Sequence, residues 1–236
     1  MRKLFGLLIT IALGVMIILA LDKTSAFPKF GEVDLQERIS SQYLTEENIE
    51  MVGSANIVTA IVVGYRGFDT LGEVTVLFIS ALGVAFIFGG TKQKRLDLKF
   101  KPNFMLRVGS NVLLGIILVT SLYIILHGHL TPGGGFPGGA IIASSVLLLY
   151  LADDKFRSNV KGFKLMEGIA GSIFVVVGLL GLIFATAFLE NFLPVGTVGQ
   201  LLSAGIIPII YVLIGLKVGS EIAGVVDNFL TEEESA

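Results

Sequence analysis

The 236-residue chain is 53% hydrophobic and only 15% charged, with a net charge of -2. Together with a mean hydropathy of +0.84, this exceeds what one soluble core needs and predicts an all-α integral membrane protein with no soluble domain. The near-neutral balance leaves no basic face for nucleic acid, and the absence of cysteine excludes disulfides, iron–sulfur ligation and thiol catalysis by this chain.

The apolar residues fall in blocks: Leu4–Leu21, Leu71–Gly90, Val108–Leu126, Gly138–Leu151, Gly168–Leu189 and Leu201–Leu216. Each approaches the ~20 residues that cross ~30 Å of hydrocarbon, the fourth only if it starts among its preceding glycines. Six spans are predicted, or seven if Met51–Tyr65 also crosses. The first block follows Arg2 and Lys3 like a signal peptide. It is long for one, and Thr24-Ser-Ala26 is a weak cleavage match, so a retained anchor is expected.

After the polar loop Asp22–Glu50, the Met51–Tyr65 run is short and is interrupted by Ser54, Asn56 and Thr59. It falls below the ~17-residue minimum for a span and reads as a re-entrant or surface-lying helix on the outer side. The next span opens on Tyr65-Arg66-Gly-Phe-Asp69-Thr-Leu-Gly-Glu73. A carboxylate embedded there is costly in lipid, so Glu73 should face protein or water. Two readings stand side by side: an ion relay with Arg66 and Asp69 as mouth charges, or an acid complementing the helix dipole, with Asp69 or Thr70 as cap.

Lysine and arginine placement sets the orientation. Lys92, Lys94, Arg95, Lys99, Lys101 and Arg107 crowd loop 91–107, and Lys155, Arg157, Lys161 and Lys164 crowd loop 153–164. The turns 127–139 and 190–200 carry none. Both basic loops, and with them the acidic tail 231–236, are therefore expected in the cytoplasm and the 127–139 turn outside.

That turn, His127-Gly-His129-Leu-Thr-Pro132-Gly133-Gly134-Gly135-Phe136-Pro137-Gly-Gly139, must break the helix, because proline lacks a donor and glycine loses the most freedom on ordering. His-x-His invites a metal, but no cysteine or nearby acid completes a ligand set and none is expected. Nor does the turn carry the Gly-Lys-Ser/Thr ending of a phosphate loop. Glu167 follows Lys164 by three residues at the start of a span and reads first as a solvated pair. Lys217 and Glu221, one turn apart at the end of the last span, read as a structural pair with a snorkelling lysine. Asn111, Ser144, Ser145 and the small residues of 168–181 read as helix-packing groups. No catalytic constellation emerges.

The His127–Phe136 motif, followed by Gly138-Gly-Ala and an aliphatic span, resembles the B subunit of the multisubunit Mrp (Mnh-type) sodium/proton antiporter. The likeness runs through the four-helix half at 96–236. Asn56-Ile-Val-Thr-Ala-Ile-Val-Val-Gly-Tyr-Arg66-Gly-Phe-Asp69-Thr-Leu-Gly-Glu73 resembles the carboxy-terminal part of the A subunit, assigning residues 1–95 to that region. The fusion is most similar to the corresponding subunit of the archaeal membrane-bound sulfane sulfur reductase or hydrogenase. Pro137 stands where many relatives carry another residue.

The resemblance implies a non-catalytic subunit in the sodium-translocating part of a ferredoxin-driven respiratory complex. It implies A-, C-, D-, E-, F- and G-like membrane partners, a peripheral redox arm, sodium ions and protons as cargo, and iron–sulfur clusters in partner subunits only. The resemblance makes the Glu73 position an ion-path carboxylate, and with Asp69, Arg66, Glu167, Lys217 and Glu221 from the residues themselves it completes the set of ion-path candidates. A purely structural linker of a stand-alone Mrp antiporter is the rival reading, and a free-standing carrier is disfavoured because no broken inverted repeats are visible.

Overall fold

The computed structural model describes residues 2–22, 45–88, 93–95 and 101–233. The Thr24–Ala26 match, most of the Asp22–Glu50 loop, Lys92, Lys99 and the end of the tail lie outside the described residues. The chain forms two compact units, Met1–Leu44 and Thr45–Ala236. The first contributes α1 (Arg2–Asp22), 21 residues of high apolar content, about 31 Å long at 1.5 Å per residue.

In the second unit, α2 (Glu46–Val52) starts at the Thr45 cap and stops at Gly53, which takes φ 72°. α3 (Ile57–Tyr65) follows after a bend of 68° and winds into a π-helical turn from Ala60. Five longer helices come next: α4 (Gly67–Phe88), α5 (Phe104–Leu126), α6 (Gly135–Ala152), α7 (Val160–Phe184) and α8 (Ile207–Leu230). All five are long and apolar enough to cross a membrane, so the chain is a multi-pass helical membrane protein. Two three-residue strands, β1 (Gln93–Arg95) and β2 (Thr231–Glu233), pair antiparallel.

Several boundaries differ from the sequence reading. The helix after the glycine-rich turn begins at Gly135 and takes in Phe136, Pro137, Gly138 and Gly139. The proline is tolerated because the donors of the first helical turn have no intrahelical partner anyway. The next span runs Val160–Phe184 instead of Gly168–Leu189, started by the Asn159 side chain accepting from Gly162 N–H. The last runs Ile207–Leu230 instead of Leu201–Leu216, because positive φ at Ala204 and Gly205 holds the chain out of helix until Ile207.

α8 is the axis of the unit and packs against α4, α5, α6 and α7. Its closest neighbour is α6, where Gly135 and Gly139 face Gly215 and Gly219. A methyl on Gly139 would stand 2.8 Å from the Gly215 carbonyl and 2.9 Å from the Gly219 N–H. The two backbones thus meet through paired small-xxx-small motifs, the contact that lipid-embedded helices use when there is no hydrophobic gain from association. Ser121 on α5 donates to the Gly138 carbonyl at 2.7 Å. Of the polar residues expected at packing faces, Ser145 is buried, whereas Asn111 and Ser144 are exposed.

Gly139→Ala places its methyl against backbone, which cannot rotate away. The substitution is expected to destabilise the α6–α8 contact by ~1–3 kcal/mol, read as a lower melting temperature of the detergent-purified protein.

Candidate functional site

Two polar regions stand out, one at the glycine-turn end of the bundle and one midway along α8. In the first, Ser54 donates to the His129 carbonyl at 2.8 Å, and Asn56 donates to the Gly128 and Thr131 carbonyls at 2.8 and 2.9 Å while its Oδ1 caps α3. Thr59 donates to the Gly128 carbonyl at 2.7 Å and lies 2.6 Å from the Tyr211 hydroxyl. At its other end, α3 gives way to Gly67, which packs on Leu189.

Both ends of α3 therefore touch loops at one end of the bundle, 127–134 and 185–206. Tyr65 also donates back to Asn48 of α2 at 3.1 Å. The α2–α3 pair is bent by 68° where the polar interruption falls, the geometry of a broken span or a re-entrant loop. Two buried non-glycine residues, Leu189 and Ala204, adopt positive φ (62° and 65°) where they meet Gly67 and Gly53. That strain persists only because the packing over-determines it.

His129 is fully buried in this layer. Its Nε2 approaches the Gln200 carbonyl at 3.4 Å, and its Nδ1 has no protein partner. His127 stacks on Tyr123 instead, so the two imidazoles serve separate contacts. Among the described residues, no three His, Cys, Asp or Glu side chains gather as a metal site. Burial holds the His129 imidazole below its usual range, partly offset by the Gln200 and Leu201 backbone. On the same side, exposed Glu190 accepts from the Thr186 hydroxyl and N–H and from Ala187 N–H. The Thr186 hydroxyl, first among these, keeps that carboxyl below the usual range.

The second region is in the middle of α8. Lys217 and Glu221 are not at a helix end: counted from Ile207, they lie about 15 and 21 Å along a helix of about 36 Å. Their side chains are 10% and 0% exposed and form an ion pair. Lys217 does not snorkel; its Nζ sits over the Phe78 ring at 4.8 Å and its stem runs along Gly171. Glu167 is half-buried and lines one cavity with Lys164, Ser220, Glu221 and Asn228.

The candidates separate into three groups. Glu167, Lys217 and Glu221 come together. Arg66 and Asp69 form an exposed pair at 2.6 Å, too solvated to contribute much. Glu73 lies about 9 Å into α4 and is exposed, whereas Gly67, Thr70 and Val74 of the same helix are buried. Neither expected cap of α4 acts as one: the Thr70 hydroxyl donates back to the Val62 carbonyl at 2.8 Å.

Sequence reading missed Asp227. It is 3% exposed and accepts from Tyr150 and from Ser158 at 2.6 Å, tying the α6–α7 loop to α8. The available signal was the run Ser220, Gly224, Asp227, whose spacing of four and three puts small and polar residues along one helix face.

A bent helix pair, long apolar helices sealed by glycine contacts and ionisable groups buried midway along α8 define a component of a polytopic membrane assembly. Residues 105–224 match the family described as a domain related to the MnhB subunit of Na+/H+ antiporters, and residues 1–90 match the MbhE family, the E component of MBH. The chain belongs to the MnhB-related family.

It resembles a chain of the archaeal membrane-bound sulfane sulfur reductase, a respiratory membrane complex, over 98% of its own length and 99% of the other, at 40% identity and a TM-score of 0.82. A chain of the Mrp complex from Dietzia sp. shares the fold, with a TM-score of 0.77 at 24% identity, over 99% of this chain and 26% of the other. The B-type component of the Na+/H+ antiporter of Bacillus subtilis is 36% identical over 92 residues, 38% of this chain and 64% of that protein. The chain is thus a subunit of an Mrp/Mnh-type antiporter-like membrane complex.

A histidine whose pKa is lowered by folding binds protons less readily folded than unfolded. Its contribution is intact above the unfolded pKa of about 6.5 and is lost as pH falls below it. Melting temperature measured from about pH 8 to about pH 5 is expected to fall more steeply for the native protein than for His129→Gln.

Proposed function

We propose that this chain is a non-catalytic subunit of the sodium-translocating module of a ferredoxin-driven respiratory complex. The observation that carries this reading is Glu73, a carboxylate exposed on the apolar α4. In lipid it would cost up to ~2.5–3.5 kcal/mol on insertion scales. A neighbouring subunit that covers it, or brings water to it, removes that cost and puts the carboxylate on a shared ion route. The end-to-end likeness to a chain of the sulfane sulfur reductase complex supports the respiratory setting.

In this reading, residues 1–95 form the A-tail-like part and 96–236 the B-like part. The chain sits among A-, C-, D-, E-, F- and G-like subunits, and the iron–sulfur clusters belong to a peripheral redox arm made by other chains. The basic loops 91–107 and 153–164 and the carboxy terminus are cytoplasmic, and the glycine-rich turn is outside. In the second reading the chain is a structural linker, and the rigid glycine contacts between α6 and α8 favour it. The two part over Glu73.

Because the native chain has no cysteine, single cysteines report sidedness directly. Thr197→Cys is expected to react with an impermeant maleimide from outside intact cells and Arg157→Cys only from inverted vesicles; the reverse pattern would invert the proposed topology.

Glu73→Gln keeps the shape and removes the charge. In inverted vesicles whose complex still assembles and co-purifies through a tag on this chain, coupled sodium transport is expected to drop to background. Unchanged transport would favour the linker.

A further inference from the structure

The cavity bounded by α4, α7 and α8, about 290 Å³ in volume, is lined by Glu167, Ser220, Glu221 and Asn228. We propose that it is a binding site for one exchangeable monovalent cation, a sodium ion or a proton, held by Glu221 and Glu167 beside Lys217. The proposal rests on the transport reading and deepens it by naming where in this chain the ion sits.

Glu221 is the starting point. The residue is only 1% exposed, and Lys217 engages one carboxylate oxygen, Oε1. The other, Oε2, is buried with no hydrogen-bond partner in the protein, although the residue borders the cavity. A bare buried carboxylate oxygen is costly, and such atoms call for an unseen donor or ion. Ser220, its neighbour on the cavity wall, donates its only proton to the Leu216 carbonyl at 2.7 Å. Its oxygen lone pairs remain able to coordinate a cation.

Charge counting sets the valence. Of the charged and amide groups at the cavity, α7 contributes Glu167 and the exposed Lys164, and α8 contributes Glu221 and the neutral Asn228 amide, with Lys217 paired to Glu221 from beside the lining. α4 contributes Phe78, Ala81, Leu82 and Ala85, none of them ionisable. Excluding the solvated Lys164, two carboxylates and one ammonium leave one uncompensated negative charge in a poorly polarisable setting. One proton on a carboxyl, or one monovalent cation, neutralises it; a divalent ion would overshoot. Lys217 fixes one oxygen of Glu221 and so leaves the other to the exchangeable ion.

The test uses the intact complex, purified through a tag on this chain and treated with dicyclohexylcarbodiimide, which modifies buried protonated carboxyls. Peptide mapping then locates the adduct. Labelling of Glu221 or Glu167 that is several-fold weaker in sodium than in equimolar potassium identifies a sodium site. Labelling that weakens as pH rises but is equal in the two salts identifies a proton site and equally supports the proposal. Absence of label on both residues, or label indifferent to both sodium and pH, overturns it.

Glu221→Gln strands the buried lysine, so it is paired with the double variant Lys217→Met/Glu221→Gln. The milder Ser220→Ala should weaken sodium protection several-fold if sodium is the occupant, while the carboxyls still label. Sodium-protected labelling in a complex whose transport survives Glu73→Gln would leave the site standing without the Glu73 relay. Transport lost in Glu73→Gln with no label at Glu221 or Glu167 would do the reverse.

Discussion

The backbone contact between α6 and α8 is the constraint on which the rest depends. Gly135 and Gly139 on one helix leave no room for a side chain against the backbone of the other, where Gly215 and Gly219 lie. In a membrane there is little to gain from hiding apolar surface, so helices that associate tightly do so through dispersion and close backbone approach. Once α6 is pressed onto α8, its first turn and the loop before it are fixed against Tyr211 and Ile214. That in turn presents the Gly128, His129 and Thr131 carbonyls to the bent α2–α3 segment. The glycines are therefore architectural twice over, in the loop at Gly128 and Gly134 and in the helix at Gly135, Gly138 and Gly139.

Binding the bent α2–α3 segment through Ser54, Asn56 and Thr59 solves a problem that a broken helix creates. At the bend between α2 and α3, backbone and side-chain donors would be stranded in hydrocarbon. Here they meet carbonyls that the 127–134 loop leaves unpaired, so two irregular pieces of backbone satisfy one another. The same arrangement points α4 down the flank of α8, where Phe78 covers Lys217 and Phe88 meets Phe229 at a ring separation of 4.9 Å. The irregular layer at the glycine-turn end and the buried charges in the middle are thus two consequences of one packing solution.

Much of this was legible in the chain. Apolar blocks near the length of a span announce themselves because hydrocarbon thickness imposes one length scale. The interruption of Met51–Tyr65 by Ser54 and Asn56 marked the place where the helix breaks, between α2 and α3. Other features were misplaced. Gly135–Gly139 reads as a breaker locally, yet glycine and a first-turn proline are acceptable in a helix that gains a close partner. Lys217 and Glu221 were assigned to a helix end because the apolar run weakens after Leu216, and the lysine was expected to snorkel. In the folded chain the helix continues to Leu230, so the pair lies at depth, with Lys217 on one Glu221 oxygen and the other left without a protein partner.

By itself, the sequence determined that this is a helical membrane protein, where its apolar segments lie, where its backbone must break and to which family it belongs. These follow from hydrophobic length, from residue-level backbone chemistry and from a motif of unusual composition. Only the tertiary structure decided that Glu167, Lys217 and Glu221 share one cavity, that Asp227 anchors a loop and that Glu73 is left on an outward face. A helix carries every residue to some side, and which side is buried depends on the neighbours that pack there. For charged groups in hydrocarbon, the difference between liability and function lies in those neighbours.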